Sequence, residues 1–150
     1  MGELRSKREK AMNASASVQR TEASSDPTLA GRTVLVIEDH ADSRQMLVDV
    51  LHSLRASVLT APNIDEAERQ LSVHKVHLVV CDMKLPDGTG LDFVGWLRHQ
   101  YRAIKTIPCI AVTGYEQLFP PNTAHGFNAY MRKPINLDKF CDVAVALARG

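Results

Sequence analysis

The chain has 150 residues, enough for one domain that buries a sizeable core without disulfide or metal staples. It carries 18 Lys and Arg against 17 Asp and Glu, a formal net charge of +1, so nothing biases it toward nucleic acid or an anionic membrane surface. No apolar run approaches the length of a membrane helix and no signal-peptide core opens the chain, so a cytoplasmic protein with neither membrane nor nucleic-acid partners is expected.

Residues 1–30 differ in texture, with five basic and four acidic side chains, five serines and no aromatic residue. Such a stretch cannot bury enough apolar surface to fold and reads as a disordered tail, leaving residues 31–150 as the globular unit. Its opening, Met1-Gly2-Glu3-Leu4-Arg5-Ser6, fits the loose pattern for amino-terminal myristoylation, but a solvated tail is the simpler reading. The three cysteines, Cys81, Cys109 and Cys141, stand in apolar contexts without zinc-type spacing and read as free buried thiols.

Residues 33–37, Thr-Val-Leu-Val-Ile, are apolar on both faces, as a central strand covered by helices requires. Glu38-Asp39-His40-Ala41-Asp42 breaks the pattern. From 43 to 54, Met46, Leu47, Val50, Leu51 and Leu54 recur at helical spacing. Residues 57–60 form a short second strand, and Asn63 caps a helix on which Ile64, Ala67 and Leu71 share a face, with Glu66 placed to complete a capping box. Residues 77–81 form a third strand that ends on Asp82. After the turn at Pro86-Asp87-Gly88, Leu91, Phe93, Val94 and Leu97 line a third helix with Trp96 at its margin.

The fourth strand spans 107–112, with Pro108 near its beginning where a missing donor matters least. A helix is due between Gly114 and Gly126, but Pro120-Pro121 interrupts it, so one turn at 115–118 followed by loop is expected. The fifth strand is 129–132, and Lys133-Pro134 leads into a last helix carrying Leu137, Phe140, Ala144 and Leu147. Strict alternation of strand and helix implies a flavodoxin-like, doubly wound α/β fold. Its five-stranded parallel sheet has the order 2-1-3-4-5, with the fourth helix shortened or irregular.

In that order the first, third and fourth strands are neighbours, so Glu38, Asp39, Asp82 and Thr113 converge beyond the strand ends, where open α/β sheets bind their ligands. Carboxylates held so close repel unless a proton or cation joins them. A shallow acidic cup suits Mg2+, which takes one or two carboxylates, retained waters and phosphate oxygens. Lys133 adds a cation that offsets phosphoryl charge, and the Thr113 hydroxyl can bond a phosphoryl oxygen. Asp82 is then a candidate nucleophile for phosphoryl transfer. Each residue alone has a plainer role, Asp39 as a helix cap, Thr113 as a strand end, Lys133 as a solvated charge. It is their shared address at the ligand crevice that selects the chemical reading.

The set Glu38-Asp39, Asp82-Met83-Lys84-Leu85-Pro86-Asp87-Gly88, Thr113-Gly114 and Tyr130-Met131-Arg132-Lys133-Pro134 resembles the response-regulator receiver domain of two-component signalling, over about residues 32–149. The resemblance implies that Asp82 accepts a phosphoryl group from a histidine of a partner kinase or phosphotransfer protein. It implies that Asp39 and Asp82 bind Mg2+, with Glu38 acting through a water and the Lys84 carbonyl as a further ligand. It also implies that Thr113 and Lys133 contact the phosphoryl group, that Tyr130 is the aromatic switch, and that the Lys133–Pro134 bond is cis. A receiver is a switch that catalyses its own phosphorylation and dephosphorylation, not a turnover enzyme.

The interval around Pro120-Pro121 departs from the family pattern, where a full fourth helix contributes to the output surface. An altered, more mobile output face is therefore expected, in a monomer or weak dimer. Lys84 also departs, either as a solvated lysine or as an ammonium that competes with metal or restrains an attacking water and so sets the phosphoryl lifetime. With no output segment after Gly150, the signal is expected to pass by protein contact to an unknown downstream partner, and Met1 favours a complete chain. Two alternatives stay open, a constitutive docking module on a receiver fold and the receiver portion of a hybrid histidine kinase. A nucleotide or flavin enzyme is disfavoured, because Glu-Asp-His-Ala-Asp after the first strand would repel phosphate.

Overall fold

The computed structural model describes residues 28–114 and 126–150. The expected helical turn at 115–118, Pro120-Pro121 and the shortened fourth helix lie outside those residues, as does the tail up to residue 27. Five parallel strands form one sheet: β1 (Thr33–Ile37), β2 (Ser57–Ala61), β3 (Leu78–Asp82), β4 (Cys109–Thr113) and β5 (Ala129–Arg132), in the order β2-β1-β3-β4-β5. The expected order 2-1-3-4-5 is the observed one. Between them run α1 (Ala41–Ser53), α2 (Ile64–Val73) and α3 (Gly90–Arg98), with the terminal helix α4 at Leu137–Arg149.

The period of two along each strand sends alternate residues to opposite faces and divides the core into two layers. Leu35, Ile37, Val79, Cys81 and Cys109 meet Ala67 and Leu71 of α2 and Phe93, Val94 and Leu97 of α3. Val34, Val36, Leu78, Val80, Ile110 and Val112 meet Leu47 and Leu51 of α1 and Phe140 and Ala144 of α4. Every residue of β3 is buried, which explains why its sequence is a continuous apolar run rather than an alternating one. Asp82 is the carboxylate that closes this run.

Several local expectations shift. Leu29, assigned to the tail, is fully buried, and its N–H donates to the Leu54 carbonyl at 2.6 Å. Arg149 and Arg32 fasten the same corner, Arg149 Nη1 donating to the Thr28 carbonyl at 3.2 Å and Arg32 Nε to the Ala148 carbonyl at 3.1 Å. A lone leucine at the end of a polar stretch carries no periodicity that would mark it as core.

At α2, Asn63 accepts from the Glu66 N–H at 2.8 Å, but the reciprocal half of the expected capping box is replaced. Glu66 instead accepts from Arg69 Nη2 at 2.6 Å, since a charged partner one turn on competes for the carboxylate. The complete capping box belongs to α3, where Thr89 accepts from the Asp92 N–H at 3.1 Å and Asp92 accepts from the Thr89 N–H at 2.9 Å.

β4 starts two residues later than expected, after Pro108, and a short 3-10 helix at Arg102–Thr106 precedes it. In α4 the core stripe is Phe140, Ala144 and Ala148, while Leu137, the first residue of the helix, is 41% exposed. Cys81 and Cys109 are buried and Cys141 is half-buried, all three as free thiols. Burial pushes the Cys109 thiol up to about 12 and the Cys81 thiol up as well, which makes both inert at neutral pH. Among the described residues, no helix is long and apolar enough to cross a membrane.

Candidate functional site

Strand register sets the address of each polar residue. Ile37 lies opposite Cys81, so Glu38 and Asp82 emerge side by side; Asp82 lies opposite Val112, so Thr113 follows one step beyond; Thr113 lies opposite Arg132, so Lys133 follows in turn. A backbone bond from the Lys133 N–H to the Thr113 carbonyl, 2.8 Å, continues the β4–β5 pairing to this edge. The Lys133–Pro134 peptide is cis, as expected.

Glu38 is 1% exposed, Asp82 6% and Thr113 0%, an unusual concentration of buried polar groups in an otherwise apolar core. Lys133 Nζ reaches between two of them, 3.1 Å from Glu38 Oε1 and 3.6 Å from Asp82 Oδ1. Glu38 and Asp82 thus share the Lys133 ammonium, while Asp39, the third carboxylate of the cluster, makes no ion pair with it. Burial raises the Asp82 carboxyl and the neighbouring Glu38 raises it further, to about 6, while Lys133 and the Met83 and Lys84 N–H groups pull the other way. Burial works against the Lys133 ammonium, but Asp82 and Glu38 outweigh it and raise its pKa, so Lys133 is charged throughout the physiological range.

Asp39 Oδ1 is buried and has no hydrogen-bond partner. Ligand atoms of Glu38, Asp39, His40 and Asp82 all lie within 4.8 Å of one another. An orphaned carboxylate oxygen beside two further carboxylates is a donor set short of positive charge, and oxygen-rich sites of this kind fit a hard divalent cation. The cup opens into a cleft of about 700 Å³ lined by Asp39, His40, Asp82, Lys84, Leu85, Pro86, Gly114 and Lys133, wide enough for a phosphoryl group and the tip of a partner side chain.

The two loops of the cup are held by different means. Arg44 of α1 donates through Nη1 to the carbonyls of Glu38 at 3.0 Å and Asp39 at 3.3 Å, pinning the backbone beyond β1. Beyond β3, residues Lys84–Leu85 and Gly88–Thr89 pair as a two-stranded antiparallel ladder. Asp87 accepts from the Ile64 and Asp65 N–H groups at 2.9 and 3.0 Å, tying that loop to the start of α2. At Gly90 an added Cβ would stand 2.7 Å from Met83 Sδ and 3.0 Å from the Asp82 carbonyl, so glycine lets α3 start this close to the strand that carries Asp82.

All the sequence-predicted residues around the cup are brought to this edge: Glu38, Asp39, Asp82, Lys84 and Lys133 surround it, and Thr113 ends the neighbouring strand. Tyr130 lies farther back, half-buried on β5 opposite Ala111, in a second groove with Arg132, Asn136 and Lys139. Three contributors escaped the sequence reading. His40 served only as a break in a pattern and Asp87 as a turn residue, and Arg44 carried no signal at all; none acquires its role until the strands align.

This parallel sheet and acidic cup define an α/β receiver-type module. The response regulator receiver domain model matches residues 34–144, and the chain belongs to that family. An uncharacterised 14.6 kDa protein of Leptolyngbya boryana is 34% identical over 111 residues, covering 73% of this chain and 84% of that one. The response regulator PilR of Pseudomonas aeruginosa is 29% identical over 122 residues, 79% of this chain, but the chain spans only 27% of PilR. Among solved structures, the response regulator TrrA of Thermotoga maritima, in complex with Mg2+ and BeF, superposes with a TM-score of 0.70 at 24% identity, over 77% of this chain and 98% of that one. The chain is a response-regulator receiver domain of two-component signalling.

Proposed function

We propose that the protein is a phosphorylation-dependent switch in which Asp82 accepts a phosphoryl group from a phosphohistidine of a histidine kinase or phosphotransfer protein. The observation that carries this reading is the placement of Asp82 Oδ1 at the mouth of the cleft, 3.6 Å from Lys133 Nζ and beside the unpartnered Asp39 oxygen. The Asp82 carboxylate attacks phosphorus, an O–P bond forms as the N–P bond of the donor breaks, and the departing imidazole takes up a proton.

Asp39 and Asp82 would hold Mg2+, with Glu38 acting through a water and the Lys84 carbonyl as a further ligand. When bound, the ion supplies charge that screens the acidic cup from an incoming phosphoryl dianion. Glu38 fixes Lys133 by the 3.1 Å bond, so that the ammonium faces the reacting oxygen before any donor arrives. Thr113, at the end of β4, offers its hydroxyl to the phosphoryl oxygens.

Phosphorylation adds charge and acceptor oxygens next to Thr113 and Lys133, and the new bonds draw the end of β4 toward Asp82. Tyr130, on the neighbouring strand, is the switch that reports this movement on the β5 face. The output is a changed protein-binding surface on residues 31–150, read by a downstream partner in the cytoplasm. Turnover of a separate substrate forms no part of this scheme, because the phosphoryl group ends on the protein itself.

Incubation with acetyl phosphate and Mg2+, followed by intact mass measurement, tests the reading. The wild type should gain one phosphoryl group and Asp82→Asn none. Equal labelling of the two proteins would overturn the assignment, and a wild type that takes no label from acetyl phosphate or from any kinase would favour a constitutive docking module instead.

A further inference from the structure

The magnesium reading employs oxygen ligands alone and leaves His40 without a task. His40 is the N-cap residue of α1, yet its side chain makes no capping bond. Its ring is turned back into the cup, with Nδ1 3.5 Å from Glu38 Oε2 and 3.4 Å from Asp39 Oδ1. That Asp39 oxygen has no hydrogen-bond partner, so the approach of the ring does not satisfy it. The backbone contributes to the same convergence, since the His40 N–H donates to Glu38 Oε2 at 3.2 Å.

An imidazole nitrogen and two carboxylate oxygens are three potential ligands. Nδ1 stands at ion-pair distance from both oxygens but makes no hydrogen bond to either, and a cation between the three would hold them together. Ligand atoms on opposite sides of an ion with bonds of about 2.1 Å stand about 4.2 Å apart. The ligand atoms of Glu38, Asp39, His40 and Asp82 already lie within 4.8 Å of each other, so a contraction of about half an ångström closes the set around one ion. The His40 side chain is 75% exposed, so its ring can make that movement without disturbing the core.

We propose that His40 is a nitrogen ligand of the ion site, and that it makes the cup prefer a first-row transition dication such as Co2+ or Ni2+ over Mg2+. The inference rests on the metal-assisted reading above and deepens it. Imidazole adds little for Mg2+, which binds oxygen and keeps its waters, but it strengthens binding to the later first-row ions, whose affinity for nitrogen rises along the series. A receiver loaded in this way would answer to which divalent ion is available as well as to its kinase.

The test titrates the full chain with Mg2+ and separately with Co2+ by calorimetry, for wild type, His40→Gln and Asp39→Asn. Competition between the two ions distinguishes the cup from surface histidines. Wild type should bind Co2+ more tightly than Mg2+, and His40→Gln should weaken Co2+ by roughly tenfold or more and Mg2+ by much less, so that the Co2+ preference falls. Mn2+ bound to the wild type should show nitrogen hyperfine coupling in pulsed electron paramagnetic resonance, and His40→Gln should abolish it. Equal Co2+ affinity in wild type and His40→Gln, or no nitrogen coupling in the wild type, overturns the role of His40 and leaves the Mg2+ reading standing. A wild type that binds neither ion, or binding that survives Asp39→Asn in full, overturns both.

Discussion

Two strand-to-helix junctions meet at the carboxyl edge of the sheet, and their polar groups are satisfied to different degrees. After β3, the chain closes a two-stranded ladder, Asp87 takes two N–H groups of α2, and Thr89 and Asp92 form a reciprocal capping box at the start of α3. After β1, α1 begins with no side-chain cap at all, and Asp39 Oδ1 is buried without a partner. A self-satisfied junction is a rigid frame, whereas one with unmet acceptors is poised for something from outside. Asp82 belongs to the first, so its carboxylate is fixed in place, as the proposed nucleophile would need; Asp39 belongs to the second, so its side of the cup keeps an unmet acceptor.

The largest effect expected from this contrast is electrostatic. In metal-free protein the Asp82 carboxyl titrates at about 6, above its ordinary 3.8, so the folded form holds a proton that the unfolded chain has released. The stability contributed by that proton is fully present below pH 3.8 and is lost as pH rises through about 6. If Asp82 holds Mg2+ as proposed, the ion displaces the same proton, so Mg2+ affinity should weaken as pH falls below about 6. At neutral pH, Mg2+ at a hundred times its Kd should raise unfolding free energy by about 2.7 kcal/mol. Calorimetry and denaturant melts across pH 4 to 8 check both trends, and a Mg2+ affinity independent of pH would contradict them.

Next in size is Gly90→Ala, where the new Cβ meets Met83 Sδ and the Asp82 carbonyl. It should cost about 1–3 kcal/mol as an overpacked contact. If the β3 junction is the rigid frame, the same substitution also lowers the rate of phosphoryl uptake, measured by intact mass against time; unchanged uptake would show that Asp82 does not depend on that frame.

Smaller still are the caps. Thr89→Ala removes half of a capping box and should cost about 1 kcal/mol in a urea melt. His40→Ser supplies a cap to α1 where none exists and should stabilise the metal-free protein by about 0.5–1 kcal/mol. A loss of stability in His40→Ser would mean that the β1 junction is already satisfied, which would remove the contrast between the two loops.

How much of this was legible beforehand follows from what each residue needs for its role. The strands and their order were readable because β1, β3 and β4 are buried on both faces and so appear as unbroken apolar runs. Glu38, Asp82, Thr113 and Lys133 were readable because each closes or follows a strand, and a parallel sheet brings strand ends together. Leu29 was missed because a single buried leucine has no period. The capping box was assigned to Glu66 instead of Asp92 because sequence spacing shows what can pair, and Arg69 was the stronger competitor. His40 was missed for a deeper reason: one residue past Asp39 it looks like the start of a loop, and only the turn of the chain at the end of β1 aims its ring back at two carboxylates.

The central claim is that Asp82, and no other carboxylate, receives the phosphoryl group. Borohydride reduction of the phosphorylated protein converts an aspartyl phosphate to homoserine, and peptide mapping then locates it. The account predicts homoserine at position 82 alone, formed only when Mg2+ is present during phosphorylation. Homoserine at position 39, or at position 82 with equal yield in excess chelator, would contradict it.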